Sequence, residues 1–546
     1  MRLNIIQKIT RAIRFLIRGK PKDARMAIVE QSLLMDNIGV GRSDETHQYC
    51  VAVQGIHDPL FYGLFASLIT DLRKRIDVSG HLLLVHSISY AIGTGWRESI
   101  SRSLPYSWLV SSQWARANKR LVGPVGYRSH SIRHPIGDLI DWRHAGKLWR
   151  ALGSAKDASV LSVDGILIGD LVIDSYLRFR PSPEFNVNDS FVRKIIWQAL
   201  RDIRRASLFF KVAKPKLYLS SYSTYIEHGV AVRIALKYGV AVRVYGNPSS
   251  FGMKLSLTHF YHTIDTSEYK KDFSELTNRN VRLDEAEKML NLRFSGGVDT
   301  ATAYMKTSAY EISNETVPNV AGDVVIFLHD FYDSPHVYAD LVFPDFWSWI
   351  IFTIEVLKEA KIGFWIKPHP NQISLSDLAY KELINRYANL RIISPRINNK
   401  QLAEAGMKCG VTVYGTVAHE LAYMGVPSIA CARHPHHSFD FCRTAHTKKQ
   451  YRSFLLTPDV SNLSKKEMRD QSLAFVYMHN LNLSSSEQVF RTLYSNYFKV
   501  SEDQCAEINS LHEELALLRR QTVWQIHVDQ LVEDFGRDIS KKSCVA

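Results

Sequence analysis

Cysteine is scarce in this chain, with 6 in 546 residues. Cys50, Cys409, Cys431, Cys442, Cys505 and Cys544 have neither the density nor the spacing of a disulfide framework, which excludes a stapled secreted scaffold and fits a reducing compartment. Long apolar runs are missing as well. No stretch approaches the ~18 residues that a spanning helix needs, and arginines cut the N-terminal apolar segment where a signal peptide would be continuous. The chain is therefore expected to stay cytoplasmic. With only 18 Pro and 28 Gly it is neither fibrous nor of low complexity. Zinc-finger, RNP and helix-turn-helix signatures are also lacking, so no nucleic acid partner is expected.

What is present is the balance of a folded protein, 46% hydrophobic and 22% charged residues. A chain of this length exceeds one ordinary core, which predicts two α/β lobes with terminal helical extensions. The formal charge of +14 favours polyanions: nucleotide phosphates, acidic glycans or an anionic membrane leaflet. Residues 1–45 form a basic amphipathic segment. Within it Ile5, Ile6, Ile9, Ile13, Leu16 and Ile17 fall near one helical face and Lys8, Arg11, Arg14 and Arg18 fall elsewhere. Such a helix lies in a lipid headgroup region or docks on its own core, and both readings stay open.

From Gln48 short apolar runs alternate with helical stretches, the rhythm of a parallel sheet wrapped by helices. Strands are predicted at Tyr49–Gln54, His81–Ser87, Ser159–Val163, Leu217–Ser220 and Val240–Tyr245, with helices over Leu60–Arg73, Asn188–Phe210 and Gly229–Tyr238. These describe a Rossmann-like lobe over 46–253. Residues 254–318 read as a polar helical connector without a sheet. A second series over 319–462 has strands at Val324–Leu328, Phe364–Ile366, Leu390–Ile393, Gly410–Val413 and Ser428–Ala430. Its helices fall at Phe346–Glu359, Lys400–Ala405 and Val417–Met424. Residues 463–546 read as a helical extension in which Ile508, Leu511, Leu515 and Leu518 mark a coiled coil or a helix packing on its own domain. Two Rossmann-like lobes place the ligand crevice at the carboxyl ends of the strands.

Lys367-Pro368-His369-Pro370 follows a strand of the second lobe. An imidazole held in a rigid turn can donate to a leaving phosphate, and the lysine adds positive charge. Further on, Gly415-Thr416 joins a strand to a helix carrying Glu420. Helix amides and the Thr416 hydroxyl suit a phosphate, with Glu420 free for ribose hydroxyls; alternatively Thr416 caps the helix. His329, Asp330, Asp333 and His336 crowd the loop after the first strand of this lobe, where donor contact is expected.

The order strand, KPHP, strand, YGT-x3-E, helix, GVP, strand resembles the donor lobe of GT-B glycosyltransferases. A His-Pro motif followed by a Ser/Thr motif is similar to enzymes using cytidine-activated donors, among them capsule and O-antigen Kdo transferases, bacterial sialyltransferases and teichoic acid glycerophosphotransferases. Leu328–His336 and Ile168–Arg178 look similar to capsule and O-antigen biosynthesis proteins, the likeness covering roughly Ser159 to Leu455. A single Thr after Gly415 departs from that pattern, where paired hydroxyl residues are usual. The resemblance implies a sugar transferred from a nucleotide-activated donor, CMP-Kdo or a related CMP-sugar, to capsule, O-antigen or lipopolysaccharide. The partners it implies are a nucleotide sugar, a lipid-linked or oligosaccharide acceptor and an anionic membrane touched from the cytoplasmic side. A UDP-sugar hexosyltransferase, a nucleotide-sugar 2-epimerase and a noncatalytic scaffold of polysaccharide assembly are the alternatives.

An inverting transferase needs a base in the acceptor lobe, for which Asp170, Asp174, Glu227 and His228 are candidates. Asp170 is preferred, and Asp174 is alternatively read as a partner of Arg178. Cys431-x2-His434 and Cys442-x3-His446, with His436 and His437 between, have zinc-like spacing. The segment follows the last strand of the crevice, however, and Arg433 and His436 are instead assigned to the donor's phosphate or sugar acid. No Asp-x-Asp stands at a strand end, so no metal or other cofactor is expected.

Overall fold

The computed structural model describes residues 48–55, 59–84, 128–130, 135–180, 182–247, 250–296, 310, 315–369, 376–484, 487–489, 491–492 and 515–535. The amphipathic segment 1–45, Pro370, Cys505, Cys544, Ile508 and Leu511 lie outside these residues, as does part of the connector.

The first lobe carries β1 (Tyr49–Gly55), β2 (Val78–Leu84), β3 (Arg128–His130), a small hairpin of β4 (Ser162–Val163) and β5 (Ile166–Leu167), β6 (Leu217–Ser220), β7 (Ala241–Val244) and β8 (Met253–Leu255). Its main sheet has the order β3-β2-β1-β6-β7-β8, parallel except for β8, which pairs antiparallel with β7. Alternation along the strands sends side chains to opposite faces. Ala52, Tyr218, Val242 and Val244 enter one core with the helices Gly169–Phe179, Ser190–Ala213 and Tyr225–Lys237. Val51, Val53, Leu217 and Leu219 enter the other, against helix Pro59–Arg73.

The second lobe carries β9 (Val324–Phe327), β10 (Phe364–Lys367), β11 (Cys409–Val411), β12 (Ser428–Ala430) and β13 (Cys442–Thr444), ordered β10-β9-β11-β12-β13. Every neighbouring pair is parallel. All four residues of β9 are buried, as expected of a central strand covered by helices on both faces. Helix Phe346–Glu359 starts at Asp345, whose carboxylate accepts the Ser348 amide at 2.6 Å. The α/β architecture with two Rossmann-like lobes is thus that expected of the sequence.

Two terminal segments cross between units. Connector helix Arg279–Phe294 and helix Lys465–Val476 share a core with Ala418, Ala422, Phe439 and Phe441 of the second lobe. The C-terminal helix Thr522–Glu533 returns to the first lobe. There Leu515, Leu518, Trp524, Val528 and Leu531 pack beside Phe61 and Phe65, so the two described leucines of the 3-4-3 pattern pack on the first lobe. Asp71 ties this helix down, accepting from Arg519 at 2.8 Å and from the Trp524 indole at 2.9 Å.

Several predicted elements differ. Ser159–Val163 is the end of a short helix, Ala155–Ser159, followed by β4. Asp164 and Gly165 both take positive φ, 50° and 72°, the conformation of a two-residue hairpin turn. The run Leu390–Ile393 forms only the bridge Ile366↔Ile392, being bounded by left-handed Asn389 (φ 65°) and by Pro395. Lys254, expected to begin a sheetless connector, lies within edge strand β8. Helices Pro135–Ala151 and Lys448–Leu456 and strand β13 were not anticipated. Among the described residues no helix is long and apolar enough to cross a membrane.

Candidate functional site between the lobes

In an open parallel sheet the ligand crevice opens where strand order reverses, at the carboxyl ends. In the second lobe that point lies between β9 and β11, and the loops leaving them are pinned together there. His329 Nε2 meets the Thr412 hydroxyl at 2.9 Å and accepts the Val413 amide at 3.3 Å. With Nε2 accepting, the network places the neutral ring's proton on Nδ1. The ring stacks on Phe346 at 4.9 Å and touches Tyr414 at 4.7 Å, and burial pushes its pKa down to about 3. His329 is thus a neutral clamp between the two loops at the position expected to contact the donor. Thr412 Oγ1 also accepts the Gly415 amide at 3.2 Å. A Cβ at Gly415 would stand 2.6 Å from that oxygen, which explains glycine at this turn. Tyr414 links the same loop to Ser334, whose carbonyl accepts the Tyr414 hydroxyl at 3.4 Å.

Lys367 ends β10, beside β9, and is 5% exposed. Its carbonyl accepts the Leu328 amide at 3.0 Å, while its ammonium makes no ion pair or hydrogen bond among the described residues. Burial lowers its pKa to about 8 against the raising influence of Glu420, so a cation is held largely out of water. His369 is also lowered, first by burial and then by Lys367, with Asp330 opposing. Asp330 folds its own loop, accepting the Tyr332 amide at 3.1 Å and the Ser376 hydroxyl at 2.7 Å.

Thr416 is exposed and makes no capping bond, so the simple cap reading fails. Glu420 corrects another expectation. Its carboxylate faces inward, paired with Arg293 at 2.9 Å and accepting from Asn399 at 2.8 Å and from the Tyr310 hydroxyl. Burial raises this carboxyl, yet Arg293 and the further donors hold it below its ordinary value. Its oxygens are committed to the connector and leave little capacity for a ribose. Arg433 sits at the rim with Asp340, 3.1 Å away. His436 is fully buried and stacked on Phe441 at 5.0 Å.

In the first lobe the reversal lies between β1 and β6. Gln54 Oε1 accepts the Ser221 amide at 2.9 Å and its hydroxyl at 2.7 Å, which turns Nε2 toward His228 Nδ1, 2.5 Å away. His228 therefore spends its lone pair on Gln54 and directs Nε2–H toward Glu227, 3.6 Å away. Burial depresses this imidazole to about 3, with His262 adding to the effect, and removes it as a base candidate.

Asp170, the preferred base, is held in a bidentate ion pair by Arg233 at 2.7 and 2.5 Å. Burial opposes its ionisation, but Arg233 outweighs burial and keeps the carboxyl below its usual range. Asp174 does not pair with Arg178. It reaches across the crevice to His336, with Oδ1 2.6 Å from Nδ1 and 3.4 Å from the His336 amide. Burial pushes Asp174 up to about 6 despite the neighbouring imidazole. His336 is lowered by burial, but Asp174 carries it above its ordinary value. Phe185 and Asp345 make a second tie between the lobes, amide to carboxylate at 3.0 Å, and Thr263 ties the connector to the second lobe, its hydroxyl donating to the Val337 carbonyl at 3.0 Å.

No known protein family matches the chain, and no curated protein matches it. Among solved structures, UDP-GlcNAc 2-epimerase from Neisseria meningitidis bound to UDP-GlcNAc is 10% identical, over 86% of this chain and 100% of that one, with a TM-score of 0.18. The S. aureus MnaA–UDP structure is 8% identical, over 84% and 98%, at 0.24. The wall teichoic acid polymerase TagF is 10% identical, over 91% and 99%, at 0.21. At TM-scores of this size neither fold nor activity is carried from these proteins to this chain.

Proposed function

We propose that the chain is a GT-B-type transferase that moves a sugar from a nucleotide-activated donor to an acceptor hydroxyl of a surface polysaccharide. The observation that carries this reading is the Asp174–His336 pair at the meeting of the lobes. Asp174 holds Nδ1 and leaves Nε2 as the proton acceptor, the base-and-orienter arrangement of nucleophile activation. His336, assigned from sequence to the donor, becomes the base, and Asp174 positions it. The buried Lys367, with His369 beside it, supports a phosphate seat at the β9/β11 reversal, where both would offset charge on the departing nucleotide. The acceptor hydroxyl loses its proton to His336 as its oxygen attacks the anomeric carbon. The nucleotide leaves with the bonding electrons.

A CMP-sugar donor and a capsule or lipopolysaccharide acceptor are the finer form of the proposal, resting on the motif resemblance, and no metal is assigned to the transfer step. The test is nucleotide release from a panel of CMP-, UDP- and GDP-sugars, with and without isolated bacterial glycolipid, for the wild type and His336→Gln. Acceptor-dependent release lost in the variant supports the reading. Sugar epimerised without acceptor would replace it with the 2-epimerase alternative.

A further inference from the structure

The loop from β12 to β13 brings three ligand-type side chains together inside the protein. The ligand atoms of His434, His436 and Cys442 all lie within 4.8 Å of one another, and all three residues are buried. The trio differs from the pairing that the spacing suggested: Cys431 belongs to the sheet core and His446 is exposed.

A hydrophobic packing role explains the burial but not the nitrogens. His436 is 0% exposed, and neither Nδ1 nor Nε2 has a hydrogen-bond partner. Buried imidazole nitrogens ordinarily find partners, because an unmatched one forfeits its hydration. His434 is half satisfied in an informative way. Nε2 lies 2.6 Å from Thr444 Oγ1, while Nδ1 has no partner. If Nε2–H donates to Thr444, Nδ1 presents a lone pair. Thr444 thus orients His434, the outer-shell contact that metal sites use to fix a histidine tautomer.

We infer that His434, His436 and Cys442 bind a zinc ion that tethers the β12–β13 loop. Two imidazoles and a thiolate are a zinc donor set, and three protein ligands leave one coordination position for a further group. Neighbouring ligand atoms on tetrahedral zinc are about 3.5 Å apart, so the trio needs a side-chain closure of about 1 Å. On binding, the sulfur–hydrogen bond of Cys442 is replaced by a sulfur–zinc bond and one proton leaves to solvent. No electrons are transferred. The ion is structural: His436 packs against Phe441 and Phe475, and the three ligands together hold the loop that begins with Arg433. The inference does not depend on the donor proposal.

The test uses the full-length, tag-free protein purified without chelator. Elemental analysis is expected to find about one zinc per chain. Cobalt exchanged into the site should give a thiolate-to-cobalt charge-transfer band that disappears in Cys442→Ser, and chelation should lower the melting temperature of the wild type. The inference is overturned if the wild type carries no zinc and cobalt produces no thiolate band. It is overturned equally if the band survives in a folded Cys442→Ser protein, because another cysteine would then hold the metal. The wild-type spectrum decides even where the variant fails to fold.

Discussion

Replacing Arg233 by methionine separates the two readings of Asp170. The wild-type guanidinium meets both carboxylate oxygens at 2.7 and 2.5 Å, donates to the Leu167 carbonyl at 2.5 Å and covers the Phe260 ring. With Asp170 only 5% exposed, the methionine leaves a carboxylate that can neither reach water nor find another cation. Removing one partner of such a buried pair costs roughly 3–5 kcal/mol, a large share of the ~5–15 kcal/mol that holds a folded domain. Replacing both partners by apolar residues of similar volume, Asp170→Leu with Arg233→Met, is expected to recover most of that loss. Urea titration followed by circular dichroism gives the four corners of the cycle, with nucleotide release measured on each folded variant. The expected outcome is a large early transition in each single variant, recovery in the double variant, and release that follows the folded fraction. A folded, stable Asp170→Asn protein that binds nucleotide but transfers nothing would refute this reasoning and return the base to Asp170.

Other outcomes follow from the same geometry. Asp174→Asn should lower turnover by about 10²–10⁴-fold while leaving nucleotide affinity within a few-fold, as read by single-turnover kinetics and calorimetry. Lys367→Met should weaken nucleotide binding by about 10- to 100-fold, the value of a charge-assisted contact of roughly 1.5–3 kcal/mol. Asp71 gives a pH signature. Burial raises its carboxyl, but Arg519, Lys74 and Trp524 together lower it from 3.8 to about 2. A depressed carboxyl adds stability above its unfolded value that is lost as pH falls through the folded one, so roughly 2 kcal/mol should vanish between about pH 4 and pH 2. The acid limb of the melting curve should flatten in Asp71→Asn. For the Asp174–His336 pair the sign reverses. Both groups hold protons more tightly when folded, so their contribution to stability declines as pH rises from about 4 through about 6 and beyond, a slope that His336→Gln should reduce.

The second lobe was legible where burial wrote it plainly. Val324–Phe327 is a continuous apolar run, and Phe346–Glu359 follows an acidic cap, so both elements emerged close to their observed limits. The hairpin at Asp164–Gly165 leaves no sequence signal because its strands are too short to show a period, and β13 leaves none because an edge strand of partly buried residues has no apolar run. The site was legible in its loops but not in its pairings. Asp174 and His336 are separated by 162 positions, and the partners of Glu420 come from Arg293, Tyr310 and Asn399. No local window contains such a pair. A position after a glycine favours Asp170 as base, yet its role is set by Arg233, two helices later. Gln54 and Ser221 carried no signal at all, since an amide and a hydroxyl become informative only when the sheet places β1 beside β6.

In the proposed reaction the crevice at the β9/β11 reversal holds a nucleotide whose phosphates meet Lys367. Calorimetric titration of the full-length protein with CMP, CDP, UDP and GDP, repeated with Lys367→Met and His369→Ala, tests it most directly. The account expects saturable binding of at least one nucleotide, weakened in both variants while both remain folded. Absence of binding by all four nucleotides, or binding unchanged in both variants, would contradict it.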